Sequence, residues 1–110
     1  MKKMRALSIR QPYAEQILSG EKKIEYRSRS TNIRGRVYIY ASKTPGDLEE
    51  FKKMQINPSI LPTGVLVGTV EITDCTGNDG NYQWHLAKPE RMPRAIKPKN
   101  RPQPVWFYPF

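Results

Sequence analysis

Hydrophobic and polar positions alternate at both ends of this chain and in its middle, and the alternation is broken by two short helical stretches. Leu7 and Ile9 face one way in a first strand over residues 4–9. Gln11-Pro12 then opens a helix, with proline accepted in the first turn, and Tyr13, Ala14, Ile17 and Leu18 form an apolar stripe at helical spacing. Gly20 ends that helix in the position where a left-handed residue is favoured. A second strand is expected over 22–28, then a turn at Asn32-Ile33-Arg34-Gly35. A third strand follows from Arg36 to Ser42, with Val37, Ile39 and Ala41 on one face.

Thr44-Pro45-Gly46-Asp47 reads as a helix start and Leu48 to Met54 as a short exposed helix, its acidic residues near the favourable end of the dipole. Gly64 to Thr73 is the clearest strand. Strict alternation there sets Leu66, Val70 and Ile72 against Val65, Val67, Thr69 and Glu71. After a turn at 78–81 comes a strand through Tyr82 to Leu86. Lys88 to Pro104 holds five prolines and few apolar residues, which predicts an extended surface connection. Val105 to Tyr108 is the last strand. Five or six strands with two short helices predict an α+β, mainly β fold, a small closed or nearly closed barrel.

Length and composition bound this picture. At 110 residues and 12.8 kDa one domain over 1–110 is expected. No run approaches the ~20 apolar residues of a membrane span, and the basic start, Met-Lys-Lys-Met-Arg, does not lead into an apolar signal core, so a cytoplasmic protein is expected. Cys75 is the only cysteine and His85 the only histidine, so an intrachain disulfide is impossible and no metal or other cofactor is expected.

Charge changes the picture most. The net charge is +9, and it is segregated: +7 over residues 1–37, −3 over 38–87 and +5 over 88–101. If the basic ends meet in the fold they make one positive face for an anionic partner, most often nucleic acid. The plainer alternative is a solvated surface that aids solubility.

The residues that carry candidate chemistry lie at 20–27, Gly-Glu-Lys-Lys-Ile-Glu-Tyr-Arg. Alternation puts Glu25, Arg27 and Arg29 on one face and Ile24 and Tyr26 on the other, while a bulge after Gly20 is free to re-aim Lys22. Lys22, Glu25 and Arg27 then either line a cleft, with the cations on phosphate and Glu25 accepting from a base or water, or form an ion pair that only holds the strand. Catalysis would make Lys22 or Glu25 a base. Ser8, Ser42 and Thr44 read as ordinary strand-end hydroxyls, His85 as a strand residue and Cys75 as a small hydrophobe. Tyr13, Trp106 and Phe107 are assigned to the core. Tyr26, Tyr38, Tyr40 and Trp84 are candidates to stack on unpaired bases, which favours single-stranded RNA over duplex.

Gly20, Lys22, Glu25 and Arg27 match the pattern G-x-K-x-x-E-x-R, and the chain here resembles the ASCH domain family, whose fold is similar to the PUA RNA-binding barrel. Ser8-Ile9-Arg10-Gln11-Pro12-Tyr13, Tyr38 to Ser42 and Gly68 to Ile72 look like the segments around that motif, and Trp84, Leu86, Pro89, Arg91 and Trp106 resemble small stand-alone members. The resemblance implies a PUA-like barrel and a ligand that is RNA, single-stranded, or a modified nucleoside. Members of the family with known activities include N4-acetylcytidine amidohydrolases, proteins linked to RNA cleavage, and binding modules. The amidohydrolase branch carries threonine where this chain has Glu25, and its catalytic carboxylate has no clear counterpart, so Lys22 carries over from it but not the full catalytic set. The expected site is therefore Lys22, Glu25 and Arg27, with Gln11, Ser42, Lys43 and Trp84 as further lining residues. The rivals are a nucleoside amidohydrolase or ribonuclease in the same cleft, and a protein-interaction module with a basic face.

Overall fold

Alternating apolar residues become strands, and the helical stripe packs beneath them. A computed structural model describes residues 3–110; Met1 and Lys2, part of the basic start, lie outside them. The elements are β1 (Ala6–Ile9), α1 (Tyr13–Leu18), β2 (Ile24–Arg27), β3 (Gly35–Ala41), α2 (Leu48–Met54), a 3-10 turn (Pro58–Ile60), β4 (Val65–Asn78), β5 (Asn81–Ile96) and β6 (Trp106–Phe107). They form one mainly β sheet of six strands in the order β2-β5-β4-β3-β1-β6. β1 and β3 run parallel, and every other neighbouring pair is antiparallel.

The closed or nearly closed barrel expected from the sequence is not borne out as a closed one: no ladder joins the outer strands β2 and β6, so the sheet stays open. β6 has two residues, paired only with β1, and β2 has four, paired only with β5. Side chains span the seam instead, as the site below shows.

Two cores lie on opposite faces. The larger gathers Leu7, Ile9, Val37, Ile39, Val70, Ile72, Trp84 and Leu86 with Ala14, Ile17 and Leu18 of α1. The smaller holds Ala6, Tyr40, Leu66 and Phe107. The alternation predicted for β4 therefore fails at one end, because Leu66 faces away from Val70 and Val67 joins the larger core. A bulge is the cause: Ile39 pairs with Gly68 and the next residue, Tyr40, with Leu66, which leaves Val67 extra and reverses the faces. Gly68 permits this close approach, because a Cβ there would strike Leu18 of α1 and lie 2.5 Å from the Glu90 carbonyl oxygen.

The connection predicted over Lys88 to Pro104 is also corrected. β5 continues to Ile96, paired with β4 through Glu90–Thr69, Arg91–Gly68 and Ile96–Leu66. Past His85 it has no β2 partner, so it becomes an edge, where proline is tolerated. α2 agrees with its predicted bounds. Asp47 caps it by accepting from the Glu49 N–H at 2.9 Å, and buried Phe51 fastens it to the body.

Candidate functional site

Gly20, with φ +87°, turns the chain out of α1, and the Lys22 N–H donates back to the Gln16 carbonyl at 2.9 Å. Lys22 thus precedes the regular strand, and the turn re-aims it to the side of Glu25. Its Nζ lies 3.6 Å from Glu25 Oε1 and within 5.5 Å of the Tyr13 and Tyr26 ring centres. Glu25 is 7% exposed, and its Oε2 accepts from Arg27 Nε at 2.8 Å. Arg27 Nη2 donates to the Ser8 carbonyl at 2.9 Å, and its guanidinium lies 5.5 Å over the Trp84 ring. The Trp106 ring stacks on the same indole at 5.7 Å, and Trp84 Nε1 donates to the Arg29 carbonyl at 2.9 Å. A buried carboxylate held by two cations, one of them stacked and bonded to backbone, is well satisfied and rigid.

This cluster forms one wall of an open cleft of about 620 Å³. The topology supplies the other walls. Because β1 and β3 are parallel with Ile9 opposite Ala41, their C-terminal ends open side by side, which sets Arg10 near Ser42, Lys43 and Thr44. Because β6 returns antiparallel to β1, residues 101–105 pass over the same opening. Ser8 pins that segment: its Oγ donates to the Gln103 carbonyl at 2.7 Å and its N–H to the Val105 carbonyl at 2.9 Å. Val105 has φ +64°, rare for a β-branched residue, in a tight turn closed by the Trp106 N–H on the Pro104 carbonyl at 2.9 Å.

The cleft is positive. Arg10, Arg27, Lys43 and Arg101 line it against Glu25 alone, and the basic ends of the chain do meet there. Arg10, Lys43 and Arg101 are exposed, and their side chains enter no ion pair or hydrogen bond among the described residues. Arg27 is committed through Nε and Nη2, and its Nη1 makes no hydrogen bond among the described residues. Tyr13 and Tyr40 add phenols to the walls. Burial, then the charges of Asp47, Glu50 and Glu25, pushes the Tyr13 hydroxyl above its ordinary value, and burial does the same for Tyr40.

The remaining expected site residues separate. Ser42 and Lys43 line the cleft, with Glu25 and Arg27. Lys22 lies behind Glu25 and lines a smaller recess of about 280 Å³ with Lys23 and Lys88. Gln11 is fully buried: its amide donates to the Pro62 carbonyl at 3.0 Å, and its oxygen accepts from the Glu15 N–H at 3.0 Å. It organises the start of α1 rather than a wall. Trp84, 1% exposed, is the support under Arg27 and no platform for a base. Tyr13 and Trp106, assigned to the core, pack against the larger core while half-buried, and Tyr26 is 64% exposed outside the cleft. Sequence reasoning missed Arg10 and Arg101. The segregated charge was their signal, but only the β1–β6 pairing brings them together.

Other chemistry is sparse. Ser8 spends its hydroxyl on Gln103, and His85 Nε2 faces Thr76 Oγ1 at 2.8 Å away from the cleft. Among the described residues no three His, Cys, Asp or Glu side chains are grouped to hold a metal ion, and no helix is long and apolar enough to cross a membrane.

Comparison with known proteins gives this arrangement a family. The ASCH domain model matches residues 7–105. The chain is 32% identical to Activating signal cointegrator 1 of Homo sapiens over an alignment of 80 positions, gaps included, that covers 63% of this chain and 14% of that protein. It is 32% identical to Activating signal cointegrator 1 of Mus musculus over an alignment of 125 positions, gaps included, that covers 91% of this chain and 21% of that protein. The chain thus spans about a fifth or less of the length of these relatives. With the match running from the first strand to the turn before the last, the chain belongs to the ASCH domain family.

Proposed function

We propose that this protein binds RNA, single-stranded, or a modified nucleoside carried in it, in the cleft beside the G-x-K-x-x-E-x-R motif. The observation that carries this reading is the set of three exposed cations, Arg10, Lys43 and Arg101, around an opening with a single, already neutralised carboxylate. Unpaired cations are the ones free to replace counterions on phosphate. Arg27 supplies a fixed guanidinium edge between them, and the Tyr13 and Tyr40 phenols supply hydrogen bonds suited to a base or sugar. Glu25 and Lys22 hold Arg27 in place rather than gripping phosphate themselves.

Filter binding at low salt tests the reading. Single-stranded RNA is retained, duplex RNA more weakly, and Lys43→Ala lowers retention. Equal retention by the variant, or no retention of any RNA, contradicts it.

Glu25 on the cleft wall favours one further reading, hydrolysis of N4-acetylcytidine or of RNA, with Lys22 and Glu25 as the reacting pair. Turnover of either substrate that is lost in Glu25→Gln, with binding kept, would establish it. The name of the relatives, a signal cointegrator, favours a protein-interaction module instead. A stable protein partner that single-stranded RNA fails to displace would support that.

A further inference from the structure

The cleft does not end at residues 101–105. It shares Arg101 and Gln103 with a recess of about 570 Å³ on the other side of that segment. That recess in turn shares Arg5 and Tyr108 with a third hollow of about 890 Å³, bordered by Lys3, Arg34 and Arg36. The three make one continuous band across the β1–β6 edge of the sheet. Among the described residues its lining holds eight Lys or Arg side chains, and Glu25 is its sole carboxylate. The acidic residues of α2 do not line the band, and three of its eight cations are paired: Arg27 with Glu25, Arg34 with Asp74, and Arg36 with Glu71 and Glu90. Lys3 and Arg5, like Arg10, Lys43 and Arg101, have no carboxylate partner among the described residues.

Tyr108 stands where the second and third hollows join, 44% exposed. The Arg5 guanidinium lies 5.6 Å from its ring centre. The surrounding backbone is fixed: the Asn100 amide donates to the Tyr108 carbonyl at 2.8 Å, and the Lys99 and Asn100 N–H groups donate to the Pro109 carbonyl at 2.8 and 3.0 Å. The ring is therefore presented on a held segment, and Pro109 beside it is fully buried. An exposed aromatic ring set between unpaired cations is how single strands are held without reading their sequence: phosphates track the charges and a base lies on the ring.

We propose that the ligand is an extended single strand of RNA, at least about four nucleotides long as for other small single-strand binders, that runs from the cleft across residues 101–105 to a base-stacking position on Tyr108. This rests on the RNA reading of the cleft and extends it, because a lone nucleoside fills one hollow and leaves Lys3, Arg5 and Tyr108 without a task.

Fluorescence anisotropy with labelled oligouridylates of two, four, eight and twelve nucleotides tests the proposal on the full chain, with thermal melting to confirm that each variant is folded. Affinity is expected to rise at least about tenfold from the dinucleotide to the octanucleotide. Tyr108→Ala should weaken the octanucleotide by about five- to a hundredfold, the range for losing one stacked base, and leave the dinucleotide unchanged. Tyr108→Phe should keep the affinity, and Arg5→Ala should flatten the salt dependence of the octanucleotide alone. An octanucleotide bound no tighter than a dinucleotide, or unaffected by Tyr108→Ala while Lys43→Ala still weakens it, overturns the track and leaves the cleft reading standing. Displacement of the octanucleotide by polyglutamate at equal charge also overturns it, in favour of an acidic polypeptide. Failure of every oligonucleotide to bind at low salt overturns both readings.

Discussion

Arg27 Nη2 donates to the Ser8 carbonyl at 2.9 Å, a bond that crosses the open seam between β2, at one end of the sheet, and β1 near the other. The same guanidinium bonds Glu25 at 2.8 Å and lies over Trp84. Glu25 and Arg27 thus close with side chains what the backbone leaves open.

Arg27→Ala removes all of these contacts and strands Glu25 beside Lys22 alone. A loss of about 2–4 kcal/mol is expected in urea unfolding, in line with breaking a largely buried ion pair. Arg27→Lys should recover less than half of it, because an ammonium cannot reach the carboxylate, the carbonyl and the ring together. A loss within about 0.5 kcal/mol, the ordinary surface value, would mean the seam is held elsewhere. It follows that weaker RNA binding by Arg27→Ala is uninformative unless folding is measured beside it.

Gly68→Ala should destabilise by about 1–3 kcal/mol through overpacking against Leu18 and the Glu90 carbonyl. Differential scanning calorimetry would show a fall in Tm of about 4–8 °C for each kcal/mol. An unchanged Tm would mean the bulge in β4 relaxes freely.

Arg91 forks onto Glu15, with Nη1 on Oε1 at 2.7 Å and Nη2 on Oε2 at 2.8 Å, tying β5 to α1. The Arg91 side chain is half exposed, so a double-mutant cycle with Arg91→Ala and Glu15→Ala should give a coupling of only about 0.5–1 kcal/mol. A coupling near zero would reduce the pair to a surface coincidence.

Alkaline pH offers a separate check. Tyr13 and Tyr40 have hydroxyls raised above 10.0 in the fold, chiefly by burial. The folded state then holds these protons more tightly than the unfolded chain, so their contribution is fully present below pH 10 and is lost as pH rises through the folded values. Unfolding free energy should fall more steeply above pH 10 in the wild type than in the Tyr13→Phe/Tyr40→Phe variant. Parallel curves would contradict the burial argument.

Much of this was legible from residue order. β1, α1, β3 and α2 followed from local alternation, the helix start at Thr44-Pro45-Gly46-Asp47 and a Gly20 stop, because each of those signals acts within a few residues. Leu66 and Val67 were set on the wrong faces because a bulge depends on the partner strand, and nothing in β4 itself marks it. The length of β5 was hidden by Pro89 and Pro93, which argue against a central strand but not against an edge. At the site, Glu25 and Arg27 were visible as a pair. The structural tasks of Gln11 and Trp84 were not, since Pro62 and Trp106 reach them only through the fold. Arg10 and Arg101 are 91 positions apart, and the β1–β6 pairing alone makes them neighbours of one cleft.

The salt dependence of single-stranded RNA binding tests the central claim most directly. For the wild type, log K against log salt should fall with a slope of about −2 or steeper, since each phosphate contact on a single strand contributes about −0.7. In the folded triple variant Arg10→Ala/Lys43→Ala/Arg101→Ala the slope should flatten by about 2. A triple variant with the wild-type slope and affinity would contradict the claim that these three cations make the cleft a nucleic-acid site.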